Sequence, residues 1–161
     1  MGRAFLFGDN IDTDVIAPGA YLMLDPADMA SHCLESVRPE FAAAVKPGDV
    51  LVAGRNFGLG SSRELAAGAI KELGVSCVLA KSVARIFYRN ALNLGLPVLI
   101  WPDGFAIEEG DDLAIDPKSG TLANFTKGTE AHTTPLPDHL LALIADGGLI
   151  NHLRKQRGIA V

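Results

Sequence analysis

Two cysteines are all that this 161-residue chain contains, and that scarcity excludes a good deal. Cys33 and Cys77 cannot build a disulfide framework, and two thiolates are too few for a structural zinc or an ordinary iron–sulfur site. Cys33 falls among the apolar positions of an expected helix and Cys77 inside a strand-like run, so both read as small buried hydrophobes. Basic charge is scarce as well. Fourteen Lys and Arg against 19 Asp and Glu give −5, without the basic stripe of a nucleic-acid binder. No run reaches the ~20 uncharged apolar residues that span a bilayer. The first seven residues meet Gly8-Asp9 before any leader-like apolar stretch develops. With 48% apolar and 20% charged residues, disorder is also disfavoured. The expectation is a soluble, cytoplasmic chain folding as one domain over residues 1–161 and burying roughly 70% of its unfolded surface.

The elements read as α/β. Residues 4–7 predict a short strand entering polar turn chemistry at Gly8-Asp9-Asn10-Ile11-Asp12-Thr13-Asp14. Asp25-Pro26 predicts a helix start, with Met29, Cys33, Leu34 and Val37 as its apolar stripe and Pro39 past its end. Strands over 50–53, 75–80 and 97–100 alternate with helices opened near Ser61 and Ser82 and ended by Gly74 and Gly95. That order predicts a mostly parallel sheet with right-handed crossovers. Residues 111–125 predict a β-hairpin, and 136–145 and 149–157 predict helices. No internal repeat or low-complexity tract interrupts the pattern.

Chemistry concentrates in Gly58-Leu59-Gly60-Ser61-Ser62-Arg63-Glu64. Two glycines permit a tight turn, Ser61 and Glu64 stand at capping-box spacing, and a helix N-terminus favours an anion. Arg63 adds a planar fork for a carboxylate. No lysine occurs between Lys46 and Lys71, so the Walker pattern fails, and Arg63 stands where a dinucleotide fingerprint needs glycine. A small carboxylic acid fits better than a nucleotide. Asp9, Asp12 and Asp14 lack the glycine and glutamate of a calcium loop, and read as a turn whose side chains bond backbone N–H groups. Tyr21, Leu22, Met23 and Leu24 offer an apolar wall without charge. None of His32, His132, His139 and His152 has metal-ligand spacing, so no metal site is expected on this chain. The stretch Arg85-Ile86-Phe87-Tyr88-Arg89-Asn90 reads as a helix packing one face and pairing its arginines.

Four stretches in register carry a resemblance: Ile11-Asp12-Thr13-Asp14, Ala53-Gly54-Arg55-Asn56-Phe57-Gly58, Gly60-Ser61-Ser62-Arg63-Glu64, and Ala84-Arg85-Ile86-Phe87-Tyr88-Arg89-Asn90. The chain resembles the small subunits of 3-isopropylmalate dehydratases, the family of the aconitase swivelling domain. The likeness is close over residues 3–100. It implies a three-layer β/β/α swivelling domain and a separate large dehydratase subunit, joined as a heterodimer or heterotetramer. That large subunit would carry a [4Fe–4S] cluster, with no cofactor bound by this chain. It implies a hydro-lyase acting on a small 2-hydroxy carboxylic acid, in leucine biosynthesis, with Ser61 as general base in its alkoxide form. Ser62 and Arg63 would hold substrate carboxylates, and Asp14 would pair with a histidine of the large subunit. Tyr21, Leu22, Met23 and Leu24 lie where the family selects substrates. Aconitase-like and homoaconitase-like members place an arginine there, and here Met23 and Leu24 follow Tyr21-Leu22 instead, which favours an apolar arm such as isopropyl. A 2,3-dimethylmalate or homoaconitase-type enzyme is the alternative within that class, and a stand-alone carboxylate- or phosphate-binding domain the alternative outside it. The chain departs from the family pattern at Leu59, where a cysteine is common, and at Leu65, where a histidine is common.

Overall fold

The four-residue runs 50–53 and 77–80 are apolar at every position, as strands must be when both faces of a sheet are covered. The computed structural model, which describes residues 1–159, shows why. Parallel strands β1 (Gly2–Leu6), β2 (Val50–Ala53), β3 (Cys77–Ala80) and β4 (Val98–Ile100) form one half of a seven-stranded sheet. Antiparallel β5 (Asp112–Asp116), β6 (Thr121–Asn124) and β7 (Thr129–His132) continue it from β1, giving the order β4-β3-β2-β1-β5-β6-β7.

Alternate residues of each parallel strand serve two separate cores. Phe5, Leu51, Ala53, Val78, Ala80 and Val98 face one core. It is completed from α2 (Pro26–Ala30), α3 (Phe41–Ala44), α4 (Glu64–Glu72) and α5 (Arg85–Asn93) by residues such as Met29, Phe41, Ile70 and Phe87. Ala4, Val50, Val52, Cys77, Leu79 and Leu99 face the second core, together with Leu113 of β5 and Leu122 of β6. The antiparallel strands therefore curl over the back of the parallel ones, and the layers run β/β/α as expected. Helix α6 (Asp138–Ala145) adds Leu140, Leu141 and Ile144 to the second core, and α7 (Leu149–Gln156) packs on α6. The Lys71 ammonium ties the end of α4 to this corner by donating to the carbonyls of Leu94 and Gly147. No helix among the described residues is long and apolar enough to cross a membrane.

The expected first helix is shorter than its stripe. α2 ends at Ala30, and Leu34 takes a left-handed φ of 60°. Its side chain is fully buried and its N–H bonds the Ile16 carbonyl at 3.2 Å, so tertiary packing breaks the helix. Val37 is left half exposed, and Asp25 stands at the N-cap without a side-chain bond. The helix expected to open near Ser82 is not capped by that residue. α5 begins three residues later, and Ser82 Oγ accepts from the Asn56 amide at 2.8 Å. β7, which includes His132, is a strand beyond the hairpin expected over residues 111–125. Arg85 and Arg89 are exposed with no ion pair among the described residues, contrary to the expected pairing. The face carrying Phe87 and Asn90 does pack inward. Both cysteines are buried and unpaired. Burial pushes the Cys77 thiol up to about 12, and that of Cys33 beyond the range in which a thiolate forms.

Candidate active site

The stretch from Gly54 to Arg63 leaves the carboxyl end of β2 and is gripped from both sides. On the β1 side, the Asn10 amide donates to the Arg55 carbonyl at 2.7 Å, Gly58 to Ile11 at 2.7 Å, and Thr13 to Leu59 at 2.8 Å. On the β3 side, Phe57 donates to Ser82 at 3.0 Å and Ala84 to Phe57 at 2.9 Å. Phe57 anchors the middle, fully buried and edge-on to Phe87 with ring centroids 5.1 Å apart. Two glycines are required by this route. Gly58 has φ +73°, and a Cβ there would come within 2.3 Å of the Phe87 ring. Gly60 has φ +108° and lies against the Thr13 hydroxyl.

Short α1 (Thr13–Ile16) supplies the facing wall. Asp12 caps it, accepting from the Val15 amide at 2.8 Å, and Asp9 accepts from the Arg55 amide at 2.6 Å. Of the three aspartates read as bonding backbone N–H groups, Asp9 and Asp12 do so, and Asp14 is turned to another partner. The Asp14 carboxylate pairs with the Arg63 guanidinium, with the two side chains 67% and 29% exposed. Ser61 Oγ lies 3.3 Å from Thr13 Oγ1. Thr13 is buried, and it fixes the neighbourhood of a serine that is itself exposed. Asn90, buried on α5, donates to the Ser62 carbonyl at 3.4 Å.

The expected capping box does not form. α4 begins at Glu64 with Arg63 at the N-cap, which puts Glu64 at the first helical position, whereas the motif needs it at the third. Ser61 therefore stands ahead of the helix with its hydroxyl uncommitted to capping. Asp14, Ser61, Ser62 and Arg63 come together on one open face at the carboxyl edge of the parallel strands, where open α/β sheets take ligands. Thr13 and Asn90 belong to the same constellation and went unassigned from sequence. Each stands inside a recognised motif, and only the fold shows that their polar atoms point at the serine turn.

Tyr21, Leu22, Met23 and Leu24 form the tail of a 3₁₀ turn (Gly19–Tyr21) that links α1 to α2. Tyr21 stacks on His32 with centroids 3.6 Å apart and an interplanar angle of 9°. His32 Nδ1 lies 2.7 Å from Glu35 Oε2. Hydrogen bonds from His32 and Tyr21 hold the Glu35 carboxyl below its usual range, and the same carboxylate raises the Tyr21 phenol. Leu22 packs on the helix-side core, and Met23 and Leu24 are exposed, Met23 at 95%. No hydrogen bond or ion pair joins this segment to Ser61 or Arg63 among the described residues. No group of three or more His, Cys, Asp or Glu that could hold a metal ion occurs there either.

A model of the aconitase C-terminal domain family matches residues 33–102. The chain is 52% identical over 158 residues to a 3-isopropylmalate dehydratase small subunit of Caldanaerobacter subterraneus, covering 97% of this chain and 98% of that one. It is 51% identical over 155 residues to a methanogen homoaconitase small subunit of Methanothermobacter thermautotrophicus, covering 96% and 90%. A crystal structure of 3-isopropylmalate dehydratase from Methanocaldococcus jannaschii superposes with a TM-score of 0.91 at 45% identity, covering 97% of this chain and 93% of that one.

Proposed function

The chain belongs to the family of 3-isopropylmalate dehydratase small subunits, and from that membership we propose how its exposed Ser61 turn serves a hydro-lyase. The reaction interconverts 2-isopropylmalate and 3-isopropylmalate by removing and restoring water, a step of leucine biosynthesis, and needs a large subunit. The observation that carries the reading is the half-built character of the site. A serine, an arginine and a carboxylate meet on an open face, with Ser61 exposed and Asp14 67% exposed among the described residues. A second protein surface completes it.

In this reading Ser61 removes the proton from the carbon beside a substrate carboxylate. A serine hydroxyl is too weak a base unless its alkoxide is stabilised. Here Arg63 and the positive end of α4 supply positive potential, and Thr13 Oγ1 supplies a hydroxyl at hydrogen-bonding distance. Ser62, with its backbone fixed by Asn90, donates to a substrate carboxylate, and the Arg63 fork holds a carboxylate. Asp14 keeps Arg63 in place until a histidine of the large subunit engages it. The buried, separated cysteines of this chain do not fit an iron–sulfur cluster, and in this reading the large subunit carries the [4Fe–4S] cluster. Location in the cytoplasm, as a single folded unit over 1–161, goes with that assignment.

Overall identity does not choose the substrate, because relatives of both names stand at 51–52%. The choice falls to the segment after α1. Tyr21 and Leu22 anchor it, and Met23 and Leu24 are left to meet an apolar arm, each buried CH₂ being worth roughly 0.8 kcal/mol. The test is anaerobic co-purification of the tagged chain from its host, followed by hydration assays with isopropylmaleate, dimethylmaleate and cis-homoaconitate. A brown complex with a larger chain that prefers isopropylmaleate is the expected result. A colourless chain without a partner would overturn the assignment and leave an anion-binding domain.

A further inference from the structure

A cavity of about 440 Å³ opens where three parallel strands end, and neither Ser61, Ser62 nor Arg63 lines it. Arg55 follows β2, Lys81 follows β3, and Ile100 and Trp101 close β4; His132 and Thr133, at the end of β7, form the opposite wall. The strand ends are locked together, with the Lys81 amide on the Ala53 and Gly54 carbonyls and the Trp101 amide on the Ala80 carbonyl. The volume lies within the ~300–1,000 Å³ of small-molecule sites, and the crevice beyond the carboxyl ends of parallel strands is the usual ligand position in such sheets.

Its electrostatics are lopsided. The Lys81 ammonium is held over the Trp101 ring at 4.3 Å and donates to the Pro102 carbonyl at 3.1 Å. Its ionic partner, Asp103 at 3.1 Å, is 98% exposed, and water screens such a pair heavily. Arg55 has its amide fixed by Asp9, while its exposed side chain has no ion-pair partner among the described residues. His132 stands 3.5 Å from Glu130, which is also well exposed. The held Lys81 ammonium, the Arg55 guanidinium (unpaired among the described residues), a threonine hydroxyl and the part-exposed Ile100 and Trp101 faces suit an oxyanion with a short apolar portion. The reaction assigned to Ser61 uses none of these groups. We propose that this cavity binds a small oxyanion, a carboxylate or a phosphate. Arg55 is its planar fork and Lys81 its point charge.

Trp101 is the sole tryptophan in the chain, so its emission reports on this cavity. The full chain is titrated at low ionic strength with inorganic phosphate and, separately, with malonate, against sodium chloride as a control. A saturable change specific to one or both is expected. Phosphate alone identifies the phosphate class, malonate alone the carboxylate class, and both an oxyanion site shared by the two. Arg55→Gln, an exposed change without folding consequences, weakens the response by about tenfold or more, the loss of one charge-assisted hydrogen bond. Lys81→Gln does the same, and Arg63→Gln leaves it intact. No saturable change, equal affinity in Arg55→Gln, or loss of the response in Arg63→Gln would overturn the proposal.

Discussion

Arg63, which opens α4, reaches across 49 positions of sequence to the carboxylate of Asp14 on α1. Both side chains are substantially exposed, and pairs of that kind contribute ~1 kcal/mol or less to stability. The pair's value lies in placement. Arg63→Gln and Asp14→Asn are each expected to lower stability by less than about 1 kcal/mol in urea unfolding. Both depress turnover of the reconstituted enzyme strongly. Arg63→Lys fails to restore activity, since an ammonium cannot form the two-pronged grip. Wild-type activity in Arg63→Lys would remove the carboxylate-holding role.

Ser61 precedes α4 without capping it. Ser61→Ala therefore leaves the helix, the thermal midpoint and large-subunit binding close to wild type. Turnover falls by about 10²–10⁴-fold, the usual worth of a positioned base. Circular dichroism melts and single-turnover kinetics separate the two effects. A lost fold would mean that the hydroxyl is structural.

Gly58 tests the architecture and not the chemistry. A methyl group there would meet the Phe87 ring at 2.3 Å from a left-handed backbone. Gly58→Ala should destabilise the fold by about 1–3 kcal/mol, the scale of a strained residue or an overpacked core. Adding Phe87→Leu, which removes the obstructing ring, should recover part of the loss. A double-mutant cycle on urea midpoints measures that coupling, and strict additivity would show that the ring is not the obstacle.

The parallel half of the sheet was legible because its strands are buried on both faces. Residues 50–53 and 77–80 show no polar interruption, and glycines punctuate the intervening helices. The serine turn was legible by composition, through two glycines, two serines and an arginine in six residues. What composition could not supply was tertiary pull. Leu34 breaks α2 because its side chain and its N–H are claimed by the core and by Ile16. Ser82 abandons a cap position for the Asn56 amide. Thr13 and Asn90 reach the site only after α1 and α5 have docked, and nothing local marks them out. β7 is short and polar, and its pairing with β6 supplies what its sequence lacks.

Met23 is the residue of its segment with the most freedom to change, since its side chain is almost wholly in water. Met23→Arg should fold like the wild type and shift the preference towards cis-homoaconitate relative to isopropylmaleate. The shift should be about 10–100-fold, the contribution of a hydrogen bond to a charged partner. Competition assays with both substrates in one vessel give the ratio directly. An unchanged ratio would place the selecting contacts elsewhere.

The anchor beneath that segment titrates, and its sign can be worked out. Glu35 is held below its usual value near 4.5 chiefly by the bond from His32 and then by that from Tyr21. A depressed carboxyl contributes stability that is present above the unfolded value and is lost as pH falls through the folded one. Order in the segment should therefore hold from neutrality down to about pH 4.5 and fail progressively below it. Tyr21 is raised above 10.0, chiefly by its bond to Glu35. Its contribution is present below that value and is lost as pH rises through the folded one, which puts the alkaline limit beyond the range of most assays. The Leu24 amide, bonded to the Tyr21 carbonyl at 3.0 Å, reports the acid limb through its hydrogen-exchange protection factor. In Glu35→Gln, protection should be lower at neutral pH and flat through the acid range. His32→Phe preserves a ring to stack on Tyr21 but removes the bond to Glu35, and should fall between the two. An acid limb that survives unchanged in Glu35→Gln would exclude this carboxylate as the anchor.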